Sequence, residues 1–223
     1  KSCEMMFDSG VDMITLGNHT FKRPEISDYL DRDVAVIRPY NYPEGAPGKG
    51  VGIIDKGRVR IAVINMLGTV FSEPLGNPFR EIDKALEQTD GCKIVIVDFH
   101  AEATAEKLSL GWYLDGKVSA VIGTHTHVQT ADEKILDTGM AYITDVGMTG
   151  PAESVLGLKK EIAVHRFKTG EWTHYECSTN KAIFNAIEIE YDDNTKKAIS
   201  TAIGATVVLF FFIISLTPLE IGR

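Results

Sequence analysis

The sequence predicts an α/β domain, and three observations predict it. The apolar run at 93–97, the helix-type segment at 102–114 and the apolar run at 118–122 follow one another as strand, helix, strand. That order makes a parallel βαβ unit with both strand carboxyl ends on one edge. Next, the apolar runs 51–54 and 59–65 flank Asp55-Lys-Gly-Arg58, a turn composition, so a hairpin adds antiparallel pairing. Finally, several apolar runs end in short polar tips that carry histidine. No internal repeat or low-complexity linker interrupts the chain, so residues 1–197 are expected to form one domain, with an atypical hydrophobic tail at 198–223.

Taken in order, Lys1-Ser-Cys-Glu-Met-Met-Phe-Asp-Ser-Gly10 reads as the last turns of a helix stopped by a glycine, with what precedes it missing. Val11-Asp-Met-Ile-Thr-Leu16 is a short strand ending in Gly17-Asn-His-Thr20. Pro24 opens a helix to Asp31, because its fixed φ suits the first helical turn. A strand at 34–37 follows, then residues 38–50, whose prolines and glycines forbid regular structure and leave a shaped loop. Beyond the hairpin, a helix over 79–88 places Phe79, Ile82 and Leu86 on one face. The strand at 93–97 ends in Asp98-Phe-His-Ala-Glu102, and the one at 118–122 in Gly123-Thr-His-Thr-His-Val128. A strand at 140–144 ends in Asp145-Val-Gly-Met-Thr-Gly-Pro151. The alternating segments 161–167, 173–177 and 182–190 read as antiparallel strands of a second sheet.

A net charge of −8 over 223 residues excludes a general binder of nucleic-acid backbones, which needs a basic face to release counterions. Three scattered cysteines without a Cys-x-x-Cys pair exclude structural zinc and a disulfide framework, and make the reducing cytoplasm the expected location. Residues 198–218 carry no charge and include Val207-Val-Leu-Phe-Phe-Phe-Ile-Ile214. This tail reads as a frameshift product, a buried terminal helix or a membrane anchor, and a membrane is a partner only if the tail is genuine.

Four of the six histidines, His19, His100, His125 and His127, lie in strand-end motifs. In an extended chain His125 and His127 point to one side. Imidazoles with an amide carbonyl from Asn18 suit Mn, Fe, Zn or Ni better than Mg or Ca. Hydrogen-bonded histidines at a polar sheet edge explain the same residues, and spacing does not choose between the two. His165 and His174 read as structural. Tyr40, Tyr42, Trp112 and Tyr113 serve either as packing or as stacking surfaces for a base.

The blocks Gly17-Asn-His-Thr20, Asp98-Phe-His-Ala-Glu-Ala-Thr104 and Gly123-Thr-His-Thr-His-Val-Gln-Thr-Ala-Asp132 resemble the signatures of calcineurin-like metallophosphoesterases, and more closely their YmdB-like branch. Residues 38–50, Gly111-Trp-Tyr113 and Thr144-Asp-Val-Gly-Met-Thr-Gly-Pro151 extend the resemblance over about residues 7–197. It implies a four-layer αββα sandwich of two mixed sheets. It also implies hydrolysis of 2′,3′-cyclic nucleotides or similar small phosphodiesters by a dinuclear-metal hydroxide. Asn18, His100, His125 and His127 are then metal ligands, His19 the catalytic acid, and Thr20, Glu102, Asp145 and Thr149 substrate contacts. Two divalent transition-metal ions are implied, Mn or Fe ahead of Zn, in a homo-oligomer without extended nucleic-acid binding.

The chain departs from that pattern. A first strand bearing Gly-Asp and a later strand bearing Glu-Asn, which supply carboxylate ligands in the family, are absent, and the ligands present are all neutral. The resemblance therefore implies a domain lacking its first strand. A catalytically inactive relative acting as a binding module is the alternative function.

Overall fold

A computed structural model describes residues 2–32, 35–192, 195, 197–203 and 213–216. Thirteen strands are formed by these residues: β1 (Met13–Leu16), β2 (Val36–Ile37), β3 (Val51–Asp55), β4 (Arg60–Leu67), β5 (Ile94–His100), β6 (Ala120–Thr124), β7 (Lys134–Ile135), β8 (Ala141–Ile143), β9 (Gly150–Pro151), β10 (Ala182–Ile183), β11 (Ile187–Tyr191), β12 (Ala198–Ile203) and β13 (Ile213–Leu216). The helices are α1 (Ser2–Asp8), α2 (Ile26–Leu30), α3 (Pro78–Leu86), α4 (Thr104–Leu114) and α5 (Lys160–Thr169).

The central sheet is mixed, with six strands in the order β3-β4-β5-β6-β8-β7. β3 and β4 form the expected hairpin, while β4, β5, β6 and β8 run parallel. Their carboxyl ends share one edge, and His100 and Thr124 stand there as register partners.

Alternation along the strands sorts the side chains to two faces. Val97, Phe99, Val121 and Tyr142 pack with Ile82 of α3 and with Leu110 and Leu114 of α4. On the other face Val63, Ile96, Ile122 and Ile143 meet Met13 of β1, Ile37 of β2 and Ile187 and Ile189 of β11. β1 and β2 are parallel, and Ile14, Leu16 and Val36 on their far side pack against residues of α1 and α2. β11 and β12 form an antiparallel hairpin.

Two loops are built around buried polar side chains. Arg38 donates to the carbonyls of Pro39, Ala46 and Pro47, so the proline-rich segment closes around one guanidinium. Asn41 bonds Leu67 O and Gly76 O and accepts from Leu67 N, pinning that loop to the end of β4.

The structure corrects three expectations. Segment 161–167 is the helix α5, closed by Gly170 at φ 74°, rather than a strand, and 173–177 is irregular apart from a single bridge from Cys177 to Leu158. Its apolar residues alternate by accident. Only Ala163 of α5 is buried, so the helix rests on the surface with no sheet to join. The tail is not a helix where it is described: β12 pairs with β11, and β13 runs parallel to β1 at the edge opposite β2. Val34 and residues 204–212 and 217–223, which hold most of the proposed anchor, lie outside the described residues. Among the described residues, no helix is long and apolar enough to cross a membrane.

Candidate active site

Asn65, Asp98 and His100 point from β4 and β5 toward the layer formed by β1 and β2. Asn65 Nδ2 donates to Leu16 O at 2.5 Å and to Ile37 O at 3.2 Å, fixing the end of β1 against the central sheet. The turn that follows β1 carries Asn18 and His19. Thr20 is buried there and its hydroxyl donates to Gly17 O at 2.6 Å, holding the turn closed. Gly17 lies so close to His100 that a Cβ would stand 2.4 Å from Nε2.

Proton counting fixes the ring orientations. Thr124 donates its one hydroxyl proton to Asp98 Oδ1 at 2.8 Å. Its oxygen therefore accepts from His100 Nδ1 at 3.0 Å, which leaves His100 Nε2 as a lone pair. His125 Nε2 faces Glu102 Oε2 at 2.8 Å and donates to it, so the neutral tautomer that this contact selects has its lone pair on Nδ1. His125 Nδ1 is 3.0 Å from His100 Nε2, and Asn18 Oδ1 is 3.1 Å from the same nitrogen. Three acceptors thus converge with either one proton or one cation to reconcile them.

The donor set fits a metal. Two ligands about 2.1 Å from one ion and at right angles to each other lie about 3 Å apart. Both rings also give their other N–H to a partner, as metal-bound histidines do. Among the described residues no three His, Cys, Asp or Glu side chains converge in this way, because the third donor here is the Asn18 amide. Burial foremost, with Lys107 adding to it, holds His100 well below the usual imidazole range, and burial foremost lowers His127. Both are therefore neutral at pH 7, the state a ligand needs. His19 is close enough for its charge to be felt at both.

The histidine pair is not held as the sequence reading supposed. β6 ends at Thr124, and His125 and His127 have φ of 110° and 67° instead of extended values. The backbone turns through them, so their approach to the site comes from a loop rather than from a pleat. Glu102 meets the ring of His125. Asp145 is buried with both oxygens occupied by Lys107, Thr126 N and Gly147 N. Thr149 is at the surface opposite Asn185. Of the aromatics, Tyr113 bonds Asp83 and Tyr40 bonds Gln88, both away from the histidines.

Sequence reasoning missed Asp98, Thr124 and Lys107. Asp98 lies two residues before His100 on one strand, which puts both on the same face. Lys107 lies three residues before Leu110 and seven before Leu114, on the buried stripe of α4.

With this geometry in hand, the likeness to known proteins is specific. A 2′,3′-cyclic-nucleotide 2′-phosphodiesterase of Bacillus subtilis is 48% identical over 200 residues, covering 89% of this chain and 76% of the relative. A Mycoplasma pneumoniae protein described as a putative phosphatase/phosphodiesterase is 38% identical over 209 residues, 90% of this chain and 74% of its own length. Among solved structures, a hypothetical protein from Thermus thermophilus superposes with a TM-score of 0.84 at 39% identity, covering 91% of this chain and 79% of its own. A novel phosphatase from Mycoplasma pneumoniae gives 0.82 at 37% identity, with 90% and 74% covered. The family described as YmdB-like protein matches residues 1–203, through β12 and six residues past the expected domain end, and the chain belongs to that family.

Proposed function

We propose that this chain is a metal-dependent phosphodiesterase acting on 2′,3′-cyclic nucleotides or similar small phosphodiesters. The observation that carries the reading is the meeting of Asn18 Oδ1 and His125 Nδ1 with His100 Nε2, each within 3.1 Å of it, a donor set and spacing that fit a cation in place of the one proton that would otherwise join them. The 48% identity to a 2′,3′-cyclic-nucleotide 2′-phosphodiesterase supplies the substrate class. The finer fold reading is the αββα sandwich, supported by the three apolar clusters that separate α3 and α4, the central sheet, the smaller strand pairs, and α1 and α2.

Asn18, His100 and His125 would hold a transition metal such as Mn or Fe, with His127 beside them for a second ion. Bound ions supply Lewis-acid polarisation of the phosphoryl oxygens and activation of the attacking water. The rest belongs to the protein. Asp98, through Thr124, keeps the proton of His100 on Nδ1, and Glu102 keeps that of His125 on Nε2. His19 gives a proton to the ribose 2′ oxygen as its bond to phosphorus breaks, a transfer suited to an imidazole near neutral pH. The product is a 3′-monophosphate.

The test is turnover of 2′,3′-cyclic AMP by the purified chain with Mn²⁺, Fe²⁺ or Zn²⁺. Release of 3′-AMP that requires the metal is expected. Metal uptake without turnover under all three would transfer the chain to the alternative, a binding module.

A further inference from the structure

Beneath the loop that carries His125 and His127 lies an ion pair that the chemistry above leaves unused. Lys107 Nζ donates to Asp145 Oδ2 at 2.7 Å, and both side chains are 1% exposed. The same oxygen accepts Thr126 N at 2.9 Å, and Oδ1 accepts Gly147 N at 2.8 Å. Thr126 stands between two histidines in the left-handed region, where a non-glycine residue is strained and persists only if its surroundings enforce it. Val146 N to Gly123 O at 2.9 Å and Met148 N to His127 O at 3.2 Å tie the same loop to the segment after β8.

Stability alone does not explain the pair. Desolvating two charges opposes the gain from pairing them, and apolar side chains of the same volume usually serve a core as well. We propose that Lys107 and Asp145 are positioning residues that hold the Thr126 amide and so fix the His125 and His127 rings at the metal-holding site. This inference rests on the metal reading above and deepens it. Without the ammonium, the carboxylate is buried with no countercharge and its charge-assisted bond to Thr126 is no longer held in place. The left-handed loop then relaxes and the rings lose their common focus.

The test compares Lys107→Met with Leu110→Ala, a cavity mutation one turn along the same helix that touches no polar group of the loop. Mn²⁺ binding by calorimetry should weaken about 10–100-fold in Lys107→Met, the range for partners of metal ligands. Leu110→Ala should lower Tm yet keep its Mn²⁺ affinity. Unchanged affinity in Lys107→Met, or equal losses in the two variants, would overturn the proposal. Should Lys107→Met not fold, hydrogen exchange of the Thr126 amide in the wild-type chain decides: protection supports the proposal, and exchange at the rate of an open loop overturns it. Should the wild-type chain bind no Mn²⁺, the metal reading fails by itself. The positioning role is then read from the ring resonances of His125 and His127 in the metal-free chain, which broaden in Lys107→Met if it holds and stay unchanged if it does not.

Discussion

Glu102 Oε2 lies 2.8 Å from His125 Nε2, and this contact decides which nitrogen of His125 faces His100. Glu102 is half exposed, so the pair adds little to folding. Its effect falls on ligand orientation instead. Glu102→Ala should weaken Mn²⁺ binding by about 10–100-fold while stability stays within about 0.5 kcal/mol of wild type. Calorimetric titration beside urea denaturation checks both halves, and a loss of stability without loss of affinity would show the contact to be structural only.

His19 is near enough for its charge to be felt at His100 and His127, and in the proposed mechanism it is the acid and not a ligand. His19→Ala should therefore retain metal and lose about 10²–10⁴-fold in kcat on a cyclic nucleotide, the span for removal of a general acid. A substrate whose leaving group needs no proton, such as a bis-p-nitrophenyl ester, should be hydrolysed nearly as well by the variant. An equal loss on both substrates would remove His19 from the role of acid.

Much of the fold was legible because β4, β5 and β6 are apolar on both faces and leave unbroken runs in the sequence. α5 was not, since Ile162 and Val164 mimic alternation and a helix burying only Ala163 has no apolar stripe to betray its period. At the site, the motifs disclosed which residues matter but not how they are held. The tautomers of His100 and His125 depend on Thr124, Asp98 and Glu102, contacts that spacing does not encode. The left-handed turn at His125 was hidden for the same reason: nothing in Thr-His-Thr-His requires positive φ, and Asp145 twenty residues later imposes it.

Gly17 tests how closely the first turn is fitted to the site. A methyl group there would stand 2.4 Å from His100 Nε2 and 2.5 Å from its Cε1, well inside contact distance. The His100 ring cannot give way without breaking its bond to Thr124. Gly17→Ala should thus abolish tight Mn²⁺ binding while the central sheet, which Gly17 does not enter, survives. Far-UV circular dichroism close to wild type together with lost Mn²⁺ affinity is the expected result. Retained affinity would mean that the turn carrying Asn18 can move away freely.

Asp98 is the place where burial and function oppose each other. Desolvation raises its carboxyl from 3.8 to about 6, against the lowering effect of the Thr15 and Thr124 hydroxyls and of Lys107. A carboxyl whose pKa is higher in the folded than in the unfolded chain holds its proton longer when folded. Its penalty is therefore absent below pH 3.8, grows between pH 3.8 and about 6, and is constant above that. At ~1.4 kcal/mol per pH unit the full penalty is about 3 kcal/mol. In metal-free protein Asp98→Asn should be more stable than wild type at pH 7.5 by up to that amount, with the gap closing toward pH 4. Urea denaturation across this range measures it. The same substitution should weaken Mn²⁺ binding, because an amide can turn its N–H₂ to Thr124 and so free the threonine proton to point at His100 Nδ1. That moves the ring proton to Nε2, the atom that faces Asn18 and His125. A variant that is both more stable and equally able to bind Mn²⁺ would show that Asp98 does not control the His100 tautomer.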